Sequence, residues 1–161
     1  MGFVDDFNAW VTGETVEENT QRIQNTIIPK AEQWARESGA TFEAEKTGFI
    51  HFRTPTDARR MSGEPTDSLT FNGMDIKPQD AVKVLGVTLD SRLDMKTHVS
   101  KITAKAMGRC TALTAVRGLR PKQMRQLYHA CVLPGLDYAA STWFYPEKRG
   151  MLGRTRQLDR V

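Results

Sequence analysis

Phe3-Val4-Asp5-Asp6, followed at once by Phe7, Ala9, Trp10 and Val11, is the stretch on which the fold turns. Aromatic and β-branched residues favour strands, and successive strand side chains point to opposite faces, so adjacent carboxylates cannot both be solvated on one face. The pair belongs at a tight turn between two strands, where both carboxylates lean toward one point. Oxygen ligands of that charge density suit Mg²⁺ or Mn²⁺. Phe7 to Val11 then forms the outgoing arm of a hairpin, ended by Thr12-Gly13. A strand should precede Phe3, yet the chain begins at Met1, so the incoming arm is expected to be missing.

Working outward, Thr15 and Glu18 form a capping box, and Glu14, Glu17 and Glu18 complement the positive end of a helix dipole. Val16, Ile23, Ile27, Ala31 and Trp34 recur at helical spacing within one narrow sector, which predicts an amphipathic helix laid on a sheet. Pro29 removes a backbone donor and predicts a kink, and Ser38-Gly39 supplies the stop. Trp10 and Trp34 are expected in the core rather than as platforms for stacked bases.

From Thr41 to Phe52 the period switches toward two, with Phe42, Phe49, Ile50 and Phe52 as strand material around Glu45-Lys46-Thr47-Gly48. Residues 53–67 are a loop by composition. Leu69-Thr70-Phe71 and Met74-Asp75-Ile76 flank Asn72-Gly73, the favoured dipeptide of a two-residue hairpin. A further strand runs from Val82 to Leu89, in which Gly86 either lets something approach the backbone or marks a bulge.

Helical periodicity takes over after Asp90. Between Met95 and Gly118 the apolar set is Met95, Val99, Ile102, Ala106, Cys110 and Leu113, with His98, Lys101, Lys105 and Arg109 in a stripe roughly a quarter turn away. Such a helix packs on one side and offers cations beside the packing edge. Arg120-Pro121 opens another helix that carries Met124, Leu127, Tyr128 and Cys131 inward. Pro134-Gly135 interrupts it, and Leu136 to Trp143 forms a last apolar helix.

Charge divides the chain in the same place. Residues 1–90 carry 9 Lys and Arg against 15 Asp and Glu, whereas residues 91–161 carry 14 against 4. The basic half has the sign of a surface that follows phosphate backbones, and the acidic half that of a metal-binding region and a solvated helix. With 39% hydrophobic and 26% charged residues the composition is that of a soluble globular chain. No apolar run approaches the roughly 20 residues of a membrane helix, so no membrane partner is expected. Cys110 and Cys131 fall in helical patterns and are expected as buried free thiols in a reducing compartment. His51, His98 and His129 are too scattered for a zinc set, and there is no Gly-rich phosphate loop or Gly-X-Ser-X-Gly elbow.

Taken in order, these motifs resemble the C-terminal part of the reverse transcriptase domain of non-LTR (LINE-like) retrotransposons, with a fungal flavour, over nearly the whole chain. Phe3-Val4-Asp5-Asp6 matches the family's catalytic aspartate motif, Glu45-Lys46-Thr47 its lysine-bearing motif, and Val84-Leu85-Gly86-Val87-Thr88-Leu89-Asp90 the strand that grips the primer end. Tyr128, Pro134, Asp137-Tyr138 and Trp143 resemble the thumb and the segment beyond it. The resemblance implies an α/β (α+β) fold. Residues 1–90 would be a partial polymerase palm, antiparallel hairpins packed on a helix, and residues 91–161 a helical thumb-like lobe.

It further implies an RNA-directed DNA polymerase, a nucleotidyltransferase that joins dNTPs to a DNA primer end on an RNA template. Asp5 and Asp6 would bind Mg²⁺ or Mn²⁺, and Lys46 would serve near the leaving pyrophosphate as proton donor or point charge. Leu85 and Gly86 would meet the primer, and Lys101, Lys105 and Arg109 the duplex backbone. The chain departs from the family in lacking the other metal-binding aspartate motif and the fingers, which lie upstream there. The piece alone is therefore expected to be inactive. An intracellular, nuclear location is implied. A non-catalytic nucleic-acid-binding remnant with a vestigial acidic pair is the alternative, and a remnant without present role a third.

Overall fold

The computed structural model describes residues 2–3, 6–54, 67–145 and 158. It is a mixed α and β structure in two compact units. The first comprises residues 1–86 and 90–93, the second residues 87–89 and 94–161. Among the described residues no helix is long and apolar enough to cross a membrane.

Two short antiparallel hairpins belong to the first unit. In one, β1 (Gly2–Phe3) pairs with β2 (Asp6–Phe7) in the register Gly2 with Phe7 and Phe3 with Asp6. An incoming arm is thus present, contrary to expectation, although only two residues long. The outgoing arm stops at Phe7 rather than Val11, because residues 8–13 join no ladder. In the other hairpin, β3 (Leu69–Phe71) pairs with β4 (Met74–Ile76). Asn72 and Gly73 between them have φ of 49° and 75°, the left-handed pair that a tight hairpin turn requires. Alternation is clean on β3, with Leu69 and Phe71 buried and Thr70 exposed.

The long helix is one continuous rod of three parts: α1 (Val16–Arg22), a wider π-helical segment (Ile23–Ile27) and α2 (Ile28–Ser38). Thr15 caps it, its hydroxyl accepting from Glu18 N–H at 3.1 Å, and Gly39 ends it in the left-handed region. Pro29 explains the middle part. It has no N–H to offer, and its ring would collide with the carbonyl four residues back. The preceding turn widens instead, so that Ile28 N–H reaches Ile23 O, five residues away.

Widening advances the apolar stripe by about one residue relative to an uninterrupted α-helix. Ile28 and Ala31 are buried, while Trp34 is 55% exposed. Trp10 is 66% exposed. Neither tryptophan is core, which corrects the sequence-based expectation for both. The core of this unit is instead Ile28, Phe49, Leu69, Phe71 and Ile76, flanked by Ile23, Phe42 and Ala44. Burying each large member stabilises the unit by about 1.5–3 kcal/mol before chain entropy is counted.

No strand forms between Thr41 and Phe52. The backbone folds there into a 3₁₀ turn at Ala44–Lys46, with Lys46 N–H on Glu43 O at 3.1 Å and Thr47 N–H on Ala44 O at 3.0 Å. Phe49 O accepts a backbone bond from Gln79 N–H at 2.8 Å. Most of the expected loop, residues 55–66, lies outside the described residues.

The expected strand from Val82 to Leu89 is broken into β5 (Ala81–Val84) and β6 (Val87–Asp90). Leu85 and Gly86 between them have φ of 44° and 87°, which makes a tight turn where a strand or a bulge was expected.

The second unit is mainly helical, with α3 (Lys96–Thr114), α4 (Pro121–Cys131), α5 (Leu133–Asp137) and α6 (Ala140–Trp143). One cluster joins Val87, Met95, Val99 and Trp143, and another joins Ala106, Val132 and Leu136. Pro121 opens α4 as its composition predicts, with Arg120 N–H held by Gln123 Oε1 at 2.9 Å. Pro134-Gly135 lies inside α5 rather than between helices. The last break comes at Tyr138-Ala139, where Ala139 takes a φ of 52°. Cys131 is exposed and Cys110 half-buried, so neither is the buried thiol expected. Val132, fully buried, takes the inward place next to Cys131.

Candidate functional site

Asp6 lies on β2, opposite Phe3, with its side chain exposed. Asp5 lies outside the described residues. Phe7, next along the arm, reaches a wall of an apolar cavity of about 160 Å³ that is also lined by Ile23, Ile28, Phe42, Phe49 and Phe71. Its ring lies 6.1 Å from that of Phe42, which in turn meets Trp34 at 5.8 Å and Phe71 at 5.9 Å. An aromatic chain therefore leads from the exposed Trp34 into the core and steadies the acidic arm.

Among the described residues no group of three or more His, Cys, Asp or Glu side chains is placed to hold a metal ion. Asp6 is one carboxylate, whereas Mg²⁺ takes near-octahedral oxygen coordination, shared among carboxylates, water and substrate phosphates.

Lys46 sits in the 3₁₀ turn and not on a strand. Its Nζ is 2.7 Å from Glu43 Oε2, and both side chains are largely exposed. Solvent screens a pair of this kind, so the ammonium is held loosely. Leu85 and Gly86 occupy the two central positions of the turn between β5 and β6. The left-handed φ of Gly86 suits glycine alone without strain, which is the physical reason for that residue.

The basic stripe of α3 is not uniform. Lys101 and Lys105 are exposed. Arg109 is a strut as well as a cation: its Nη1 donates to Cys131 O at 2.9 Å, and the guanidinium lies against Gly135, where an added methyl would overlap Nη1. It joins α3 to the end of α4. His98 is buried, only 3% exposed, and so leaves the stripe altogether. Its Nδ1 accepts Thr88 N–H at 3.2 Å, and its ring stands edge-on to Trp143 at 5.3 Å. Burial holds its pKa below the usual imidazole value, and the charges of Lys101 and Lys105 push the same way.

Helical periodicity placed His98 near the packing edge but could not show that a backbone N–H of Thr88 needs an acceptor there. Nor did any local signal mark Gln24, whose amide bonds both backbone groups of Thr70. Both roles depend on contacts between residues of different secondary-structure elements. No family model, curated protein or solved structure matches this chain.

Proposed function

We propose that this chain is the end of the palm and the thumb of an RNA-directed DNA polymerase of a non-LTR retrotransposon, a nucleotidyltransferase acting on a DNA primer annealed to an RNA template. The observation that carries the reading is the order and spacing of three motifs, Phe3-Val4-Asp5-Asp6, Glu45-Lys46-Thr47 and Leu85-Gly86-Val87, ahead of a basic helical half. On this reading Asp5 and Asp6 contribute to a site for Mg²⁺ or Mn²⁺ that is completed by groups beyond the described residues. Lys46, loosely paired with Glu43, is available to a phosphate. Lys101 and Lys105 meet the duplex backbone. The nucleus is the location that goes with such an element.

The test is primer extension on an RNA template with dNTPs and Mg²⁺. The 161 residues alone are expected to give no product. Adding a polypeptide that carries the family's other aspartate motif and its fingers is expected to give extension that Asp5→Asn or Asp6→Asn abolishes. Extension that survives both substitutions overturns the role of the acidic pair.

The second reading is a non-catalytic nucleic-acid-binding protein. It is favoured by the excess of 14 basic over 4 acidic residues in 91–161. Salt-sensitive duplex binding without extension in any combination selects it.

A further inference from the structure

We propose that His98 is a protonation-sensitive latch of the second unit, holding Val87–Leu89 and Trp143 on α3 while its ring is neutral and releasing them when the ring takes up a proton. The inference stands apart from the polymerase reading, because it uses only the packing of this unit.

Three observations meet at the ring. Nδ1 accepts the backbone N–H of Thr88, itself buried, at 3.2 Å. That fixes the tautomer: the ring proton is on Nε2, and Nδ1 keeps its lone pair. Nε2 is buried without a hydrogen-bond partner among the described residues. The ring edge rests on Trp143, whose Nε1 donates to Tyr138 O at 2.9 Å and which belongs to the cluster of Val87, Met95 and Val99.

A proton added at Nδ1 removes the acceptor and sets one N–H against another. It also puts a charge among Val87, Val99 and Trp143, where nothing replaces the lost hydration. The surrounding charges make this worse. On its own helix the ring feels Lys101 and Lys105. The residues packed on it from β6, Val87 to Leu89, and from α6, Ala140 to Trp143, carry no titratable side chain. The charges that act on the ring are those of Lys101 and Lys105, and the carboxylate of Asp90 at the end of β6 is not among them. The imidazolium is therefore stable only outside the cluster, in water, and β6 and Trp143 lose their tie to α3 as it leaves.

The experiment uses the full chain with Trp10→Phe and Trp34→Phe, both exposed positions, so that Trp143 is the one remaining indole. Between pH 8 and pH 5 its emission is expected to shift to the red. The Thr88 amide resonance and the His98 ring resonance should move with the same midpoint, below the ordinary imidazole value of about 6.5. His98→Asn places a non-titrating oxygen near the position of Nδ1 and should flatten the transition, whereas His51→Asn should leave it in place. A Trp143 transition that persists in His98→Asn overturns the latch. Should that variant not fold, the parent decides: separate midpoints for Thr88 and His98 overturn the proposal, and a shared one upholds it.

Discussion

The side-chain amide of Gln24 takes the place of a β-strand along the outer edge of Thr70. Its Nε2 donates to Thr70 O at 3.0 Å, and Thr70 N–H donates to its Oε1 at 2.8 Å. With Phe71 and Met74 closing the turn, Thr70 faces Asp75 at a position where antiparallel backbones do not bond each other, so both polar groups of Thr70 point outward. Gln24 lies in the π-helical segment that Pro29 imposes, and the contact ties the helix to the hairpin.

Gln24→Ala should destabilise the first unit by about 1–2 kcal/mol, as expected for two solvent-accessible bonds to one side chain. Gln24→Glu keeps the acceptor but loses the donor, and should fall between the parent and the alanine variant. Urea unfolding measures both, and faster amide exchange at Thr70 should accompany each.

At the turn between β5 and β6, Leu85 holds a φ of 44°, a strained region for a branched side chain. Leu85→Asn is expected to stabilise by up to about 1 kcal/mol, because asparagine tolerates that region. Gly86→Ala should destabilise by about 1 kcal/mol for the opposite reason. Thermal melting of the two variants should shift in opposite directions.

Gly135 lies under the guanidinium of Arg109. Gly135→Ala forces that side chain aside and should destabilise by about 1–3 kcal/mol. Since Arg109→Ala removes the obstacle as well as the bond to Cys131 O, the double variant should lose less than the two single losses added together. Additive losses in a double-mutant cycle would show that the two residues do not interact.

On the proposed nucleic-acid reading, duplex binding should separate the members of the basic stripe. Lys101→Glu with Lys105→Glu should weaken binding to every sequence alike and reduce the steepness of its salt dependence, since each phosphate neutralised by a lysine releases counterions. Arg109→Gln should act mainly on stability, because its side chain bonds Cys131 O. Fluorescence anisotropy across a salt series, set beside unfolding curves, distinguishes the two effects.

His51 predicts an acid limit for the first unit. Its ring is edge-on to Phe49 at 4.5 Å, and its Nε2 is buried without a hydrogen-bond partner among the described residues. Burial lowers its pKa, Arg53 lowers it further, and Asp67 and Glu17 oppose the shift. The folded value lies below the unfolded one, so between them the unfolded chain binds a proton that the folded chain does not. The stability contributed by the neutral ring is present above about pH 6.5 and falls as pH drops from there through the folded value. His51→Gln should flatten that slope in urea midpoints measured from pH 7.5 to pH 5.

What local chemistry dictates was legible in the sequence. The cap at Thr15 and the left-handed turn at Asn72-Gly73 each depend on a few neighbouring residues, and each is found where its residues stand. The inner face of α3, with Val99 and Ala106 buried, follows from period alone. Pro29 was legible as a disturbance but not as a phase change. Whether the rod kinks or widens depends on what the next turn packs against, and widening turned Ile28 inward and Trp34 outward. The stretch around Lys46 has strand-forming side chains but only scattered ladder partners, so the tertiary structure decided for a turn. His98 and Arg109 share a helical stripe with Lys101 and Lys105, yet one became a buried acceptor for Thr88 and the other a strut to Cys131. Period assigns a side chain to a face of its own helix. Only the backbone groups brought up by other elements decide whether that side chain meets water or a hydrogen bond it must satisfy.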